Sequence, residues 1–232
     1  MKNFEGLSKA HSVLDAYLHN RPKSEPSSGS RLQAVTISRQ AGSGAASVAE
    51  HLIRLLEARK SPARPWTVFD RNLITQVLKD HNLPERLAEY LPEDRGSEIH
   101  DTVRSLFGVQ PSTWTVVEHT AETILRLVHL GNVIILGRGA NRITADVPGV
   151  IHVRLVAPLE QRISHVQESR QMSRTAAREL VEREDRGRAR YFKRYFAASL
   201  DDPLLYHLVI NTGLVSFKQA AELIVSAAAP LR

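Results

Sequence analysis

AVTISRQAGSGAAS, residues 34–47, runs from a β-branched apolar stretch through a glycine-bearing turn into the start of an amphipathic helix. A strand that feeds a helix through such a turn aims two sets of N–H groups at one point: the amides of the turn and the unpaired first amides of the helix. The helix dipole favours negative charge at that same point. A phosphate is the expected occupant.

Within the turn, Arg39-Gln40-Ala41-Gly42-Ser43-Gly44-Ala45-Ala46-Ser47, Ala45 stands where a Walker A loop carries its lysine. The backbone cradle is kept and its usual point charge is not. Downstream, short β-branched runs alternate with longer helical patterns, as in a parallel sheet covered on both faces. The predicted strands are residues 34–38, 66–70, 132–137, 150–156 and 206–211. Val48, Ala49, Leu52, Ile53, Leu55 and Leu56 fall on one face of a helix over 45–60, and residues 113–130 and 215–227 also read as helices. Ser173 is placed to cap a long charged helix reaching Arg194, with a break expected at Gly187.

Parallel sheets bind ligands beyond the carboxyl ends of their strands. Asp70-Arg71 follows the second strand, Gly137-Arg138-Gly139-Ala140 the third and Asn211-Thr212-Gly213 the fifth, so four loops meet at one sheet edge. Residues 3–19 carry a helical apolar face (Phe4, Leu7, Val13, Leu14, Tyr17, Leu18) and 20–31 form a Pro/Ser/Gly tether. The domain reading is therefore an N-terminal helix and linker over 1–32 and a main domain over 33–232.

Composition narrows the chemistry. The chain has no cysteine, which excludes disulfides and thiolate metal sites and fits a reducing, cytoplasmic setting. No apolar run approaches the roughly 20 residues that span a bilayer, so no membrane partner is expected. The net charge of +6 and pI of about 9.8 point to an anionic partner. Lysines number seven against 24 arginines, and twelve of the arginines fall between Arg138 and Arg194. Arginine's planar fork binds phosphate oxygens in pairs and stays charged. The ten histidines show no HExxH or paired-ligand spacing.

With these loops in this order, the chain resembles the cytidylate kinase-like family of P-loop nucleoside monophosphate kinases. The likeness covers roughly residues 34–227 and is clearest in TISRQAGSG, VIILGRGA, DRGRARYF and YHLVINT. The resemblance implies a three-layer α/β P-loop kinase fold of about five parallel strands, with an acceptor-binding insertion near 71–113 and an arginine-rich lid near 170–195. It implies ATP with Mg²⁺ as donor and a CMP-like nucleoside monophosphate as acceptor. Gly42, Ser43, Gly44 and Ser47 match the phosphate loop, with the Ser47 hydroxyl on the metal. Asn211 and Thr212 match the loop that flanks the donor base, and Asp70 with Arg71 opens the acceptor site. Arg138 matches the arginine that meets the acceptor phosphate, and Arg186 and Arg188 fall where lid arginines close over the transferring group.

There are departures from the family pattern. Besides Ala45, Gly139 stands where true cytidylate kinases have an aspartate, and 71–113 reads as helices and turns instead of a strand-rich insertion. The acceptor's base is thus open. Phosphoryl transfer asks mainly for positioning and charge neutralisation, which a hydroxyl, backbone donors and arginines can supply without a lysine. Arg39, beside the loop, or Arg138 is the expected substitute charge.

Plainer readings stand beside these. Asp70 can equally cap a helix starting near Asn72, and Arg186 and Arg188 can be a solvated face. Tyr191, Phe192, Tyr195 and Phe196 recur at helical spacing, as packing residues do. Two other functions compete with phosphotransfer: a nucleotide-binding module that has lost transfer with its lysine, and a nucleic-acid binder using residues 174–194. The acids Glu182, Glu184 and Asp185 interrupt the latter's basic stripe.

Overall fold

The structure, a computed structural model, describes residues 32–59, 65–70 and 113–228. The N-terminal helix and tether, Arg71 and nearly all of the insertion lie outside the described residues.

The opening apolar run is β1 (Ala34–Arg39), and Ala45 begins α1 (Ala45–Arg59). Then follow β2 (Thr67–Phe69), α2 (Thr113–Leu130), β3 (Val133–Leu136), the one-turn α3 (Ala140–Ile143) and β4 (Val150–Val156). The chain continues through α4 (Leu159–Arg170), α5 (Arg174–Phe196), β5 (Leu208–Asn211) and α6 (Phe217–Ala227). All five strands are parallel, in the order β2-β3-β1-β4-β5. The expected α/β sheet with five parallel strands is what forms.

β1 lies in the middle, Ala34 opposite Val133 on one side and Val150 on the other. Its side chains alternate between two apolar cores, because successive strand residues face opposite sides of a sheet. Val35 and Ile37 join Val48, Ala49 and Leu52 of α1 and Ala220, Ala221 and Ile224 of α6. Ala34, with Val133 and Ile135, meets Val117, Ile124 and Val128 of α2 and the aromatic end of α5, Phe192, Tyr195 and Phe196. This double coverage explains why the strands read as continuous apolar runs. A third, smaller core ties α4 to α5 through Ile163, Val166, Leu180 and Val181, and it includes Ala41 of the glycine turn.

Local signals set the helix ends. Ser173 accepts from the Ala176 amide at 3.2 Å, and Ser216 with Gln219 forms a reciprocal capping box on α6. Gly187 does not break α5, which runs unbroken from Arg174 to Phe196. The penalty for glycine in a helix, about 1 kcal/mol, is smaller than the burial of Leu180, Val181 and Phe192 that the continuous helix secures. β5 starts two residues later than predicted. A short 3₁₀ turn, Pro203–Leu205, precedes it, and the His207 ring nitrogen Nδ1 accepts from the amide of His152 on β4 at 2.9 Å.

Among the described residues, no helix is long and apolar enough to cross a membrane.

Candidate active site

The turn after β1 folds as its glycines demand. Gly42 and Gly44 both have φ of +79°, and a Cβ on Gly44 would lie 2.2 Å from the Phe217 ring. A left-handed backbone and close packing leave room only for hydrogen. Ser43 closes the turn by donating its hydroxyl (2.8 Å) and amide (3.3 Å) to the Gln40 carbonyl. The first backbone bond of α1 is Val48 N–H to Gly44 O at 2.9 Å. The amides of Gly42, Gly44, Ala45, Ala46 and Ser47 have no hydrogen-bond partner among the described residues. Such a set of open donors at a helix start is what an anion fills.

The loop is held from behind. The Thr212 hydroxyl donates to Ser43 O at 2.9 Å and lies 3.2 Å from Val156 O, while Asn211 Oδ1 accepts from the Gly213 amide at 2.9 Å. In this structure the two therefore brace the loop and shape the turn after β5. Ala45, at the lysine position, is 8% exposed and packs in the α1 core. Ser47 is half-buried on the first turn of α1.

Beyond the ends of β1 and β3 opens a small cleft walled by Ser38, Arg39, Gly137, Arg138, Arg188 and Tyr191 among others. Three arginines thus reach one hollow from three segments. Arg138 is buried and sits at φ of 60°, a conformation that costs a non-glycine residue energy and marks a position worth explaining by function. Arg39 donates to Asp70 Oδ1 at 3.1 Å, which brings one more predicted site residue to the same place. Arg188 donates to Glu184 Oε2 at 2.7 Å, and its other terminal nitrogen lies 3.5 Å from Asp185 Oδ1.

Arg186 goes elsewhere. Two residues before Arg188 on a helix it points about 200° around the axis, and there it pairs with Glu182 at 3.5 Å, largely exposed. It does not line the cleft.

The structure also brings in residues that the sequence reading passed over. Arg154, opposite Ser38 in the β1–β4 register, donates to Ser38 Oγ at 3.2 Å and to Asp201 Oδ1 at 2.6 Å, fixing the floor of the cleft. Tyr206 donates its hydroxyl to Leu200 O at 3.0 Å beside that pair, and burial holds its pKa above the ordinary value. A charged residue inside the apolar run VIHVRLV was the available signal. Asp185 and Arg162, which grip the loop at Ala41, gave none: Asp185 sits in a run of other charges, and Arg162 belongs to no recognisable motif.

The sequence model of the cytidylate kinase-like family matches residues 34–214, the stretch from β1 to the loop after β5. The chain belongs to the cytidylate kinase-like family. It is thereby a kinase-like protein, and the parallel sheet with its glycine loop is the P-loop kinase core. An uncharacterized protein from Eubacterium ventriosum ATCC 27560 has a similar solved structure. The TM-score is 0.62 at 18% identity, over 84% of this chain and 98% of that one, a likeness of fold. The shikimate kinase from Acinetobacter baumannii in complex with shikimate aligns at a TM-score of 0.46 and 16% identity, over 85% and 93% of the two chains. A curated protein, the uronate isomerase of Corynebacterium glutamicum, is 32% identical over 92 residues, 40% of this chain. That stretch is 18% of the isomerase, so the chain spans under a fifth of that relative's length.

Proposed function

We propose that this protein moves the γ-phosphoryl group of ATP, with Mg²⁺, to a nucleoside monophosphate or a related small phosphorylated acceptor. The observation that carries the reading is the pairing of five open amides over residues 42–47 with Arg39, Arg138 and Arg188 at one sheet edge. The residues fit the nucleotide: the amides offer directional donors to phosphate oxygens, and the glycines keep the concavity that a Cβ would fill. When bound, ATP supplies the phosphoryl group and Mg²⁺ neutralises charge on its oxygens.

The chain's own part is binding and orientation. Gly42, Gly44 and the first turn of α1 hold the donor phosphates, Ser43 keeps the turn closed, and the Ser47 hydroxyl is the group offered to the metal. Asn211 and Thr212 support the loop from the β5 side. Arg138 holds the acceptor phosphate, and Asp70 orients Arg39. Arg39 and Arg188 take over the charge that Ala45 does not carry. Three guanidiniums around one hollow favour the state in which negative charge spreads over the transferring group. The acceptor is expected from the nucleoside monophosphates, CMP-like ones included.

Purified protein with ATP, Mg²⁺ and each nucleoside monophosphate in turn should release ADP only with its acceptor. ATP binding without ADP release for any of them would favour the module that has lost transfer. Oligonucleotide binding that weakens steeply with salt would favour the nucleic-acid reading. Against the latter, four of the arginines of α5 are paired with carboxylates: Arg174 and Arg178 both with Glu160, Arg186 with Glu182 and Arg188 with Glu184.

A further inference from the structure

Ala41 opens the phosphate loop, and both of its backbone polar groups are taken by one ion pair. Its amide donates to Asp185 Oδ1 at 2.7 Å, and its carbonyl accepts from Arg162 Nη1 at 3.0 Å. The same Arg162 Nη1 lies 2.7 Å from Asp185 Oδ2, which closes a ring. Arg162 Nε donates to Ala157 O at 2.9 Å, and the Ala157 amide donates to Gln40 Oε1 at 3.0 Å. Residues 40 and 41 are thus bonded on both sides to α4, α5 and the end of β4. The Ala41 methyl is buried in the α4–α5 core, and a Cβ on Gly42 would stand 2.4 Å from Arg162 O. Asp185 lies three residues before Arg188 on α5, so the helix that grips the loop also presents an arginine to the cleft.

Charge decides what the pair can do. A carboxylate hydrogen-bonded to a loop amide is an anion beside the place where phosphates arrive, and alone it opposes them. Arg162, whose side chain is 8% exposed, cancels it. A mere packing bridge would need neither the charge nor its cancellation.

We propose that Asp185 and Arg162 are a positioning pair that fastens the phosphate loop to the arginine-bearing helix, and that the carboxylate can hold the loop without repelling nucleotide only because Arg162 neutralises it. The open amides and Arg188 then keep one fixed relation, and the loop is formed before nucleotide arrives. This rests on the phosphate reading of the loop. Its sharpest consequence concerns two variants. Arg162→Ala leaves a bare carboxylate against the loop, whereas Arg162→Ala/Asp185→Asn removes that charge and keeps an amide oxygen to accept from Ala41 N–H. The double variant should therefore bind nucleotide better than the single one.

Two measurements test this. Calorimetric titration with MgATP should show Arg162→Ala weakened by about tenfold to a hundredfold, the range of a charge-assisted hydrogen bond, and the double variant recovering roughly tenfold of that. A double variant as weak as Arg162→Ala, or weaker, overturns the charge balance. Hydrogen exchange without nucleotide should show the Ala41 amide at least about tenfold faster in Asp185→Ala than in the wild type, with Asp185→Asn between them. Unchanged exchange overturns the fastening, whatever the titration gives, and it still decides the matter if Arg162→Ala does not fold. A wild-type protein that binds no MgATP overturns the phosphate reading and the charge balance with it, while exchange continues to decide the fastening.

Discussion

The two glycine loops at the carboxyl ends of β1 and β3 are built alike and equipped differently. Each uses left-handed backbone and seats a glycine under an aromatic ring. Gly44 lies beneath Phe217, and Gly139, at φ of +67°, lies beneath Phe196, with a Cβ 2.1 Å from its ring. After β1 the glycine turn presents bare amides and, at the lysine position, a buried alanine; the nearest cation of that segment is Arg39, before the turn at the end of the strand. After β3 the loop presents a cation, Arg138, in a conformation most residues avoid. In a Walker loop one segment carries both the backbone donors and the charge. Here the amides follow β1 while Arg138 stands after the neighbouring strand, and on the proposed function each loop must hold its own geometry for the donor and acceptor phosphates to meet.

The largest effect should come from a methyl group added to either loop. Gly44→Ala and Gly139→Ala each force an L residue into positive φ and a ring out of its seat, and each should lower unfolding stability by about 2–5 kcal/mol, measured by thermal or urea denaturation. Below the melting temperature the two should part. Gly44→Ala should lose MgATP affinity by more than about a hundredfold, while Gly139→Ala should keep most of it and lose turnover. Equal loss of ATP affinity in both would break the comparison.

The division was half legible in the sequence. The β1 loop could be read because a strand, two glycines and a helix are consecutive, and the β4 run Val150–Val156 was bounded correctly because a fully buried strand is apolar from end to end. The arginines could not be sorted that way. Arg186 and Arg188 are equivalent in composition and two residues apart, and only the angle of α5 about its axis sends one to the cleft and the other to solvent. A long helix hides that angle, since its rotation is set by Phe192 and Phe196 packing far along the chain. The ring of Asp185, Arg162 and Ala41 joins residues 144 positions apart through hydrogen bonds, with no local pattern to announce it.

Acid tests the foundation the loops share. His152 on β4 stands opposite Thr36 on β1, with Nδ1 2.8 Å from the Thr36 hydroxyl. Burial, and the neighbouring His207 ring, lower its pKa from 6.5 to about 4. The folded protein therefore binds its proton later than the unfolded chain does. Stability is fully present above pH 6.5 and falls as pH drops towards 4, by about 3 kcal/mol in total. His207, whose pKa burial also lowers, adds to the same trend. His152→Gln, followed by chemical denaturation at several pH values, should flatten most of that slope; an unchanged slope would place the acid sensitivity elsewhere.

Removing the β3 cation asks whether the charge belongs to binding or to transfer. Arg138→Ala should lower turnover by about tenfold to a hundredfold, as expected for one charged hydrogen bond made in the transition state, and leave MgATP affinity nearly unchanged, because the β1 amides carry that. A loss confined to ATP affinity would assign Arg138 to the donor and collapse the division between the loops.

The smallest effect is the most discriminating, because it compares two arginines on one helix. Arg186 pairs with Glu182 at the surface, an i,i+4 contact worth about 0.3–0.5 kcal/mol at most. Arg186→Ala should thus shift the melting temperature barely and turnover not at all. Arg188, its side chain 13% exposed, walls the cleft while bonded to Glu184, whose carboxylate also lies 3.4 Å from Arg170. Arg188→Ala leaves Glu184 with one partner fewer in a buried site, so it should cost both stability and turnover. The ratio of the two turnover losses measures how far the rotation of α5 separates the cleft-facing arginine from its solvent-facing neighbour. A ratio near one, from either direction, would mean that this helix does not present its charge to the cleft.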